Sequence, residues 1–348
     1  MNLIVNRRKL KSSDTKLLIG IAFLMCVLMA FTKESIFPEK YFFDSYTIQD
    51  LIVHTYKDYG DKSFSNTAKF FRYLHIDRYI VAPIISVIAY FGGLILIFNK
   101  YQVRELSLFN FILMIAYSAM AMVYLSTYSK ELIVYLCVVL PFIFFEKKNI
   151  FIWLLFVLLY TLFFRSYWTI TIGLFLGIKY FLVKKPKLLF LAIPIFYFLI
   201  AFIYNYVFGT SLVLIRFLTN DGRDIDMAQT AIPVFIKGSS FILEASNFFV
   251  TLIFLIFPIP LIILGKPFYL VLAILISVFF YNFLKLYVKQ YFRSEFTNIF
   301  SFVIAFMLVQ SLFEPDYGSF VKHLAPLYPL IFVCIAKNTK FVDEEKAI

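Results

Sequence analysis

Residues 80–98 read IVAPIISVIAYFGGLILIF, with no charged side chain. As a helix, such a stretch crosses about 30 Å of hydrocarbon. Residues 188–208, LLFLAIPIFYFLIAFIYNYVF, are of the same kind. Roughly ten or eleven such stretches fill the chain, and most gaps between them carry Lys or Arg. The working solvent is therefore lipid. A charge at the edge of a membrane helix must find a partner, snorkel to the interface, or serve a function.

Composition agrees, with 62% hydrophobic and 21% aromatic residues and a mean hydropathy of +0.85. Little of the 348 residues remains for a large soluble catalytic domain. An open sheet edge cannot be satisfied in hydrocarbon. The predicted fold is thus an all-α polytopic integral membrane bundle of about 10–12 transmembrane helices, with 1–348 forming a single transmembrane domain. The net charge of +12 is not read as a nucleic-acid footprint. Much of it lies at Arg7, Arg8, Lys9, Lys11, Lys16, Lys100, Arg104, Lys147, Lys148, Lys184, Lys185 and Lys187, where short loops orient a membrane protein. Cys26, Cys137 and Cys334 lie in apolar stretches and suggest neither disulfides nor a metal site. The expected partners are membrane lipid and a membrane-borne substrate, with no nucleic acid and no cofactor.

The basic start followed by LLIGIAFLMCVLMAF lacks a small-residue cleavage pattern, so it reads as an uncleaved first span. With a cytoplasmic N-terminus, spans follow at 17–32, 80–98, 106–125, 131–145, 150–164, 167–183 and 188–208. The positive-inside rule fits each return. Extracytoplasmic loops are then expected at about 33–79 and 209–240. Later spans at 246–264, 268–286 and 296–313 make the count awkward, because it leaves Glu314–His323 on the cytoplasmic side. In the first long loop, 69–79 reads as an amphipathic interfacial helix.

Soluble-enzyme motifs are absent: no P-loop, GxGxxG, HExxH or nucleophile elbow occurs. Residues 221–226, DGRDID, hint at a calcium loop, but Arg223 stands where an oxygen ligand belongs and Ile232 where a Glu belongs.

Four polar clusters remain at span ends. In the first, Ser129 suits a helix cap and Glu131 the positive end of the helix dipole. Alternatively Lys130 and Glu131 pair as a polar floor. The second is Arg165-Ser166-Tyr167-Trp168. Its aromatics suit the interfacial belt, while an outward Arg could hold a phosphate bidentately. The third is Arg223, Asp224 and Asp226, with Arg216 upstream: either a solvated turn or a sugar-binding loop. The fourth is Glu314-Pro315-Asp316-Tyr317-Gly318-Ser319-Phe320-Val321-Lys322-His323. Pro315 and Gly318 make a turn and Ser319 is placed to cap the last span. Lys322 and His323 are costly in a membrane helix unless they face the bundle interior or water. Glu314, Asp316 and His323 are therefore the catalytic candidates. Lys130, Glu131, Arg165, Tyr167, Arg223, Asp224 and Lys322 are the substrate-binding ones.

A polytopic chain with Ser-Lys-Glu opening one span, Arg-x-Tyr ending the next, a polar late loop and an acidic turn running into Lys-His resembles the Wzy-type polysaccharide polymerases, including the EpsG-like branch. The resemblance covers most of the chain in architecture and a short set of residues in motif. It implies a bacterial inner-membrane, metal-independent glycosyltransferase of O-antigen, capsule or exopolysaccharide assembly. Such an enzyme moves a glycan from undecaprenyl pyrophosphate to the next lipid-linked repeat on the outer face, alongside flippase and chain-length regulator proteins. On this resemblance Arg165 binds the donor pyrophosphate, assisted by Lys130 or Arg223. Glu314, Asp316 or His323 deprotonates the acceptor. These groups must then face outward, which requires a re-entrant segment within 209–300.

The main non-enzymatic alternative is a lipid-linked oligosaccharide flippase or other transporter, which would favour related halves with broken helices. No such symmetry is visible. A membrane acyltransferase modifying a surface glycan is the other rival. It would use His323 with Glu314 and leave Arg165 with little to do. A scaffold subunit, in which every cluster is structural, is the third.

Overall fold

The structure, a computed structural model, describes residues 12–57, 59–76, 78–103, 106–182, 186–214, 216, 230–238, 240–290 and 294–337. Among these the chain is all-α, and the one extended pairing is an isolated antiparallel bridge between Ala231 and Asp316. Six helices are long and apolar enough to cross a membrane, namely Leu17–Ile36, Val81–Lys100, Leu108–Leu125, Leu188–Phe208, Pro267–Tyr287 and Tyr317–Ala336. Four shorter apolar helices accompany them. Large apolar side chains such as Leu28, Ile88, Phe151, Leu162, Leu191 and Val271 are exposed. A bilayer, not water, is the solvent that accepts such a surface. The chain is a polytopic α-helical membrane protein.

The packing divides into two compact units, Met1–Trp168 with Leu324–Ile348, and Thr169–His323. In the first unit α1 (Ser12–Ile36) packs on α4 (Val81–Lys100) and α5 (Leu108–Leu125), with α2 (Phe43–Val53) and α3 (Lys62–Tyr73) paired in the first long loop. The interfacial helix therefore starts seven residues earlier than the 69–79 expected, running from 62 to 73. Asp61 sets the start by accepting a hydrogen bond from Ser63 N. The chain leaves it through His75, whose φ of 55° ends the regular helix.

After α5 the chain re-enters at α6 (Lys130–Val134), widens into a π turn at Tyr135–Val139 and continues as α7 (Leu140–Phe145). Pro141 accounts for the widening, because its ring displaces the carbonyl four residues earlier and it supplies no N–H. Tyr135 Oη reaches the carbonyls of Ala89 and Tyr90 on α4, at 3.3 Å each. That approach needs Gly93, since a Cβ there would stand 2.1 Å from the phenol oxygen. Then α8 (Ile150–Phe163) follows, and a late helix at Tyr328–Lys337 closes on α4 and α5.

Loops expected on one side of the membrane meet in this unit. Lys100 pairs with Glu146 at 3.1 Å, and Tyr101 Oη donates to the same carboxylate at 2.9 Å. Lys33 Nζ ties the end of α1 to that of α5 through Ala30 O and Ser126 O, at 2.7 and 3.0 Å.

The second unit contains α9 (Trp168–Gly177) with a π turn at Ile178–Leu182, α10 (Pro186–Phe208), α11 (Phe241–Ile256), α12 (Ile259–Ile263), α13 (Pro267–Gln290), α14 (Thr297–Phe313) and α15 (Tyr317–Leu324). α16 (Tyr328–Lys337) follows a 3-10 turn at Ala325–Leu327. α11 packs on α10, α13 and α14. α14 is buried on nearly all sides, as an apolar helix without a polar face must be. The expected span 246–264 is two helices: α11 stops at Ile256, and Phe257-Pro258 separates it from the one-turn α12. Ile232 N donates to Pro315 O at 2.9 Å, so the end of the 209–240 segment lies against the Glu314–Asp316 turn. Two segments that simple counting puts on opposite sides are together.

Candidate functional site

Each unit gathers one set of the residues singled out in the sequence. In the first, Ser129 Oγ caps α6 by accepting from Leu132 N at 3.1 Å and donates to Tyr124 O at 2.9 Å. This is the expected cap. It carries Lys130 and Glu131 into a buried position. They do not pair with each other, as the polar-floor reading supposed, because consecutive residues on a helix point in different directions. Glu131 Oε1 instead takes Arg165 Nη2 at 2.9 Å, and Arg165 Nη1 donates to Tyr167 Oη at 3.2 Å. Lys130 Nζ reaches Asp61 Oδ2 at 3.2 Å and lies 3.4 Å from the Phe64 ring centroid.

Asp61, which the sequence reading passed over, therefore both caps α3 and answers a buried ammonium. Burial acts to raise its carboxyl, but the Ser63 hydrogen bonds and the Lys130 charge outweigh it and hold the group below its ordinary range. Asn66 Nδ2 adds a tie to Phe163 O at 2.5 Å, so α3 is fixed at two points one turn apart.

The second unit holds the fourth cluster. Glu314 terminates α14 and is 1% exposed, and its Oε2 stands 2.8 Å from His323 Nδ1. Nine residues separate them, bridged by the turn and two turns of α15. Asp316 accepts from Ser319 N at 2.8 Å through Oδ1, and its carbonyl accepts from Phe320 N at 3.0 Å. Asp316 is thus the cap of α15, the role the sequence reading gave to Ser319. Capping engages the carboxylate that was also a base candidate. Lys322 lies half-buried beside His323 in the last turn of α15. Arg223 and Asp224 lie outside the described residues.

Arg216 is the residue that sequence reasoning undervalued. It is 3% exposed and donates to Thr251 Oγ1 at 3.2 Å, Ser311 O at 3.4 Å and Pro233 O at 3.5 Å. Burial brings its guanidinium down to about 10, against the opposing fields of Glu314 and Tyr317. α11 supplies the frame. Glu244 accepts from Asn205 Nδ2 at 2.5 Å, Ser211 Oγ at 3.0 Å and Val213 N at 3.0 Å. Asn247 Oδ1 accepts from Phe235 N at 2.8 Å and Ile236 N at 3.2 Å. One stripe of α11 (Glu244, Asn247, Thr251) thereby fastens the segment entering Arg216 and the segment leaving toward α11. The signal was in the sequence: three polar side chains one helical turn apart within FILEASNFFVTLIFLI.

Chemically, a carboxylate that fixes an imidazole through Nδ1 leaves proton exchange to Nε2 on the ring's other edge. A buried guanidinium adds positive field in a low-dielectric setting. Among the described residues no three His, Cys, Asp or Glu side chains form a metal-holding group. Comparison of the chain with protein-family models, curated protein sequences and solved structures gives no match.

Proposed function

We propose that this chain is a membrane-embedded glycan transferase of the Wzy-like kind, a polysaccharide polymerase of the bacterial inner membrane with its N-terminus in the cytoplasm. Its substrates on this reading are undecaprenyl-pyrophosphate-linked repeats of O-antigen, capsule or exopolysaccharide, joined on the outer face. The observation that carries the reading is the buried Glu314–His323 contact at 2.8 Å, at a helix end and within the field of Arg216. An acid–base pair at a membrane interface suits transfer between two lipid-linked molecules better than passage through a mid-membrane cavity.

His323 Nε2 takes the proton of the acceptor hydroxyl, and Glu314 stabilises the imidazolium that forms. The hydroxyl oxygen bonds to the anomeric carbon as the bond from that carbon to the pyrophosphate oxygen breaks. The lipid pyrophosphate leaves with the electron pair, and the proton on His323 passes to solvent. Pyrophosphate is a good leaving group, so one base and local positive charge carry the step.

The same dyad favours a second reading, a membrane acyltransferase acting on a surface glycan. Deleting the gene in its native host separates the two, with surface glycan and lipid-linked intermediates resolved by gel and mass spectrometry. Single repeats on the carrier at the outer face, with no ladder, are expected. An unchanged ladder lacking an acyl group would establish the acyltransferase instead, and repeats trapped on the cytoplasmic face a flippase.

A further inference from the structure

Among the described residues, Arg216 is buried and Arg165 largely so, with its side chain 13% exposed, and their electrostatic situations differ. Arg165 has a carboxylate, Glu131, in contact at 2.9 Å. Arg216 has none within 4.0 Å among the described residues, and its hydrogen bonds run to a hydroxyl and two carbonyls at 3.2–3.5 Å. Those are long for a guanidinium, whose charge-assisted bonds run about 2.7–2.9 Å. A buried cation in contact only with neutral acceptors is costly.

Its neighbours add unfilled hydrogen-bonding capacity. Asn247 is fully buried, and its orientation is fixed because Oδ1 receives two backbone N–H groups. Among the described residues its Nδ2 meets no acceptor, the Tyr317 hydroxyl meets no partner, and Glu314 Oε1 meets no donor. The set is rich in donors (guanidinium, amide, phenol) with one carboxylate oxygen left to accept.

We propose that Arg216, with Thr251 and Asn247 of α11 behind it, binds a singly charged oxyanion of the acceptor, the carboxylate of an acidic sugar, and holds it beside the Glu314–His323 pair. The proposal rests on reading that pair as the base of a transfer reaction. Formal charge selects the class. Arg216 and Glu314 cancel while His323 is neutral, and Asp316 and Lys322 at the two ends of α15 cancel as well, so a carboxylate leaves one net negative charge at the site. A diphosphate would leave two or more, which a single guanidinium does not answer. The planar guanidinium fork also matches a carboxylate bidentately. Glu314 Oε1 then accepts from a sugar hydroxyl. The approach is along His323, whose side chain is 17% exposed.

The test is saturation-transfer NMR with the full-length protein in detergent, which detects weak binding. The probes are D-glucuronate, D-glucose and inorganic pyrophosphate. Glucuronate is expected to bind and glucose not to. R216Q is expected to weaken glucuronate by ~10-fold or more, an affinity ratio worth about 1.4 kcal/mol. R216K, which keeps the charge without the fork, falls between. The double variant K100Q/E146Q, which removes a different ion pair as a neutral unit, binds as wild type. A normal elution profile for R216K keeps the test valid should R216Q misfold. Pyrophosphate binding that depends on Arg216 without glucuronate binding would overturn the carboxylate assignment. Absence of glucuronate binding to wild type, or its loss in K100Q/E146Q alone, would overturn the site. Because binding is read without turnover, these outcomes are separate from the fate of the polymer ladder in the deletion strain.

Discussion

Glu131 and Glu314 are both buried carboxylates at helix ends, and each is answered from elsewhere in the chain, by Arg165 and by His323. For Glu131 the consequence is a mutational asymmetry. Removing one partner of a buried ion pair strands the other charge and costs about 3–5 kcal/mol, while removing both is often close to neutral. R165A or R165Q is therefore expected to lower stability, and E131Q/R165Q to restore most of it. Thermal unfolding of the purified variants measures this cycle. Additive losses would mean that the pair is not coupled. The sequence made Arg165 and Glu131 each conspicuous but could not show that they pair, because 34 residues separate the two. It showed the Glu314–His323 pair better, because a turn and a helix lie between them. The setting of Arg216 was hidden for the same reason: its neighbours Thr251, Ser311 and Glu314 are distant in the chain.

At the scale of elements, Gly93 and Asp50 carry the sharpest consequences. A Gly93→Ala methyl would meet the Tyr135 phenol inside the core, where overpacking costs about 1–3 kcal/mol. G93A is expected to lower the thermal midpoint, and G93A/Y135F to recover most of the loss. Asp50 closes the loop after α2, taking Tyr59 Oη at 2.6 Å, Lys57 Nζ at 2.9 Å and His54 Nδ1 at 2.9 Å. The Tyr59 hydrogen bond, then those of Lys57 and His54, bring its carboxyl down to about 2. A carboxylate depressed in the folded state stabilises it above the unfolded value of about 3.9 and loses that effect as pH falls toward the folded value. Amide exchange at 54–59 should therefore accelerate between about pH 4 and about pH 2 in wild type, with a flat profile in D50N. Equal profiles would place the loop's order elsewhere. Hydropathy made most apolar elements legible. It could not locate the Phe257-Pro258 break, since a proline flanked by Ile and Phe reads as continuous apolar sequence.

At the scale of the whole molecule, the all-α membrane class was readable because hydrocarbon leaves a backbone few options. The two compact units were not readable, because residues 324–337 join helices from the first half through long-range packing that leaves no local trace. The pairings of loops do bear on sidedness. Lys100 with Glu146, and Asp61 with Lys130, each join loops that the crossing count assigns to one face, the first pair to the cytoplasmic face and the second to the outer face. Single cysteines at 61 and at 147 should label from opposite sides of intact cells. Within the second unit, cysteines at 237 and 319 should label from one side, since Ile232 and Pro315 are bonded. Labelling of 237 and 319 from opposite sides would break that arrangement.

The central claim is that a Glu314-held His323 removes the acceptor proton in glycan transfer. Its most direct test is the profile of lipid-linked glycans in a deletion strain complemented with H323A, at matched membrane protein level. The account predicts single repeats on the carrier and no polymer ladder. A ladder of wild-type length would contradict it.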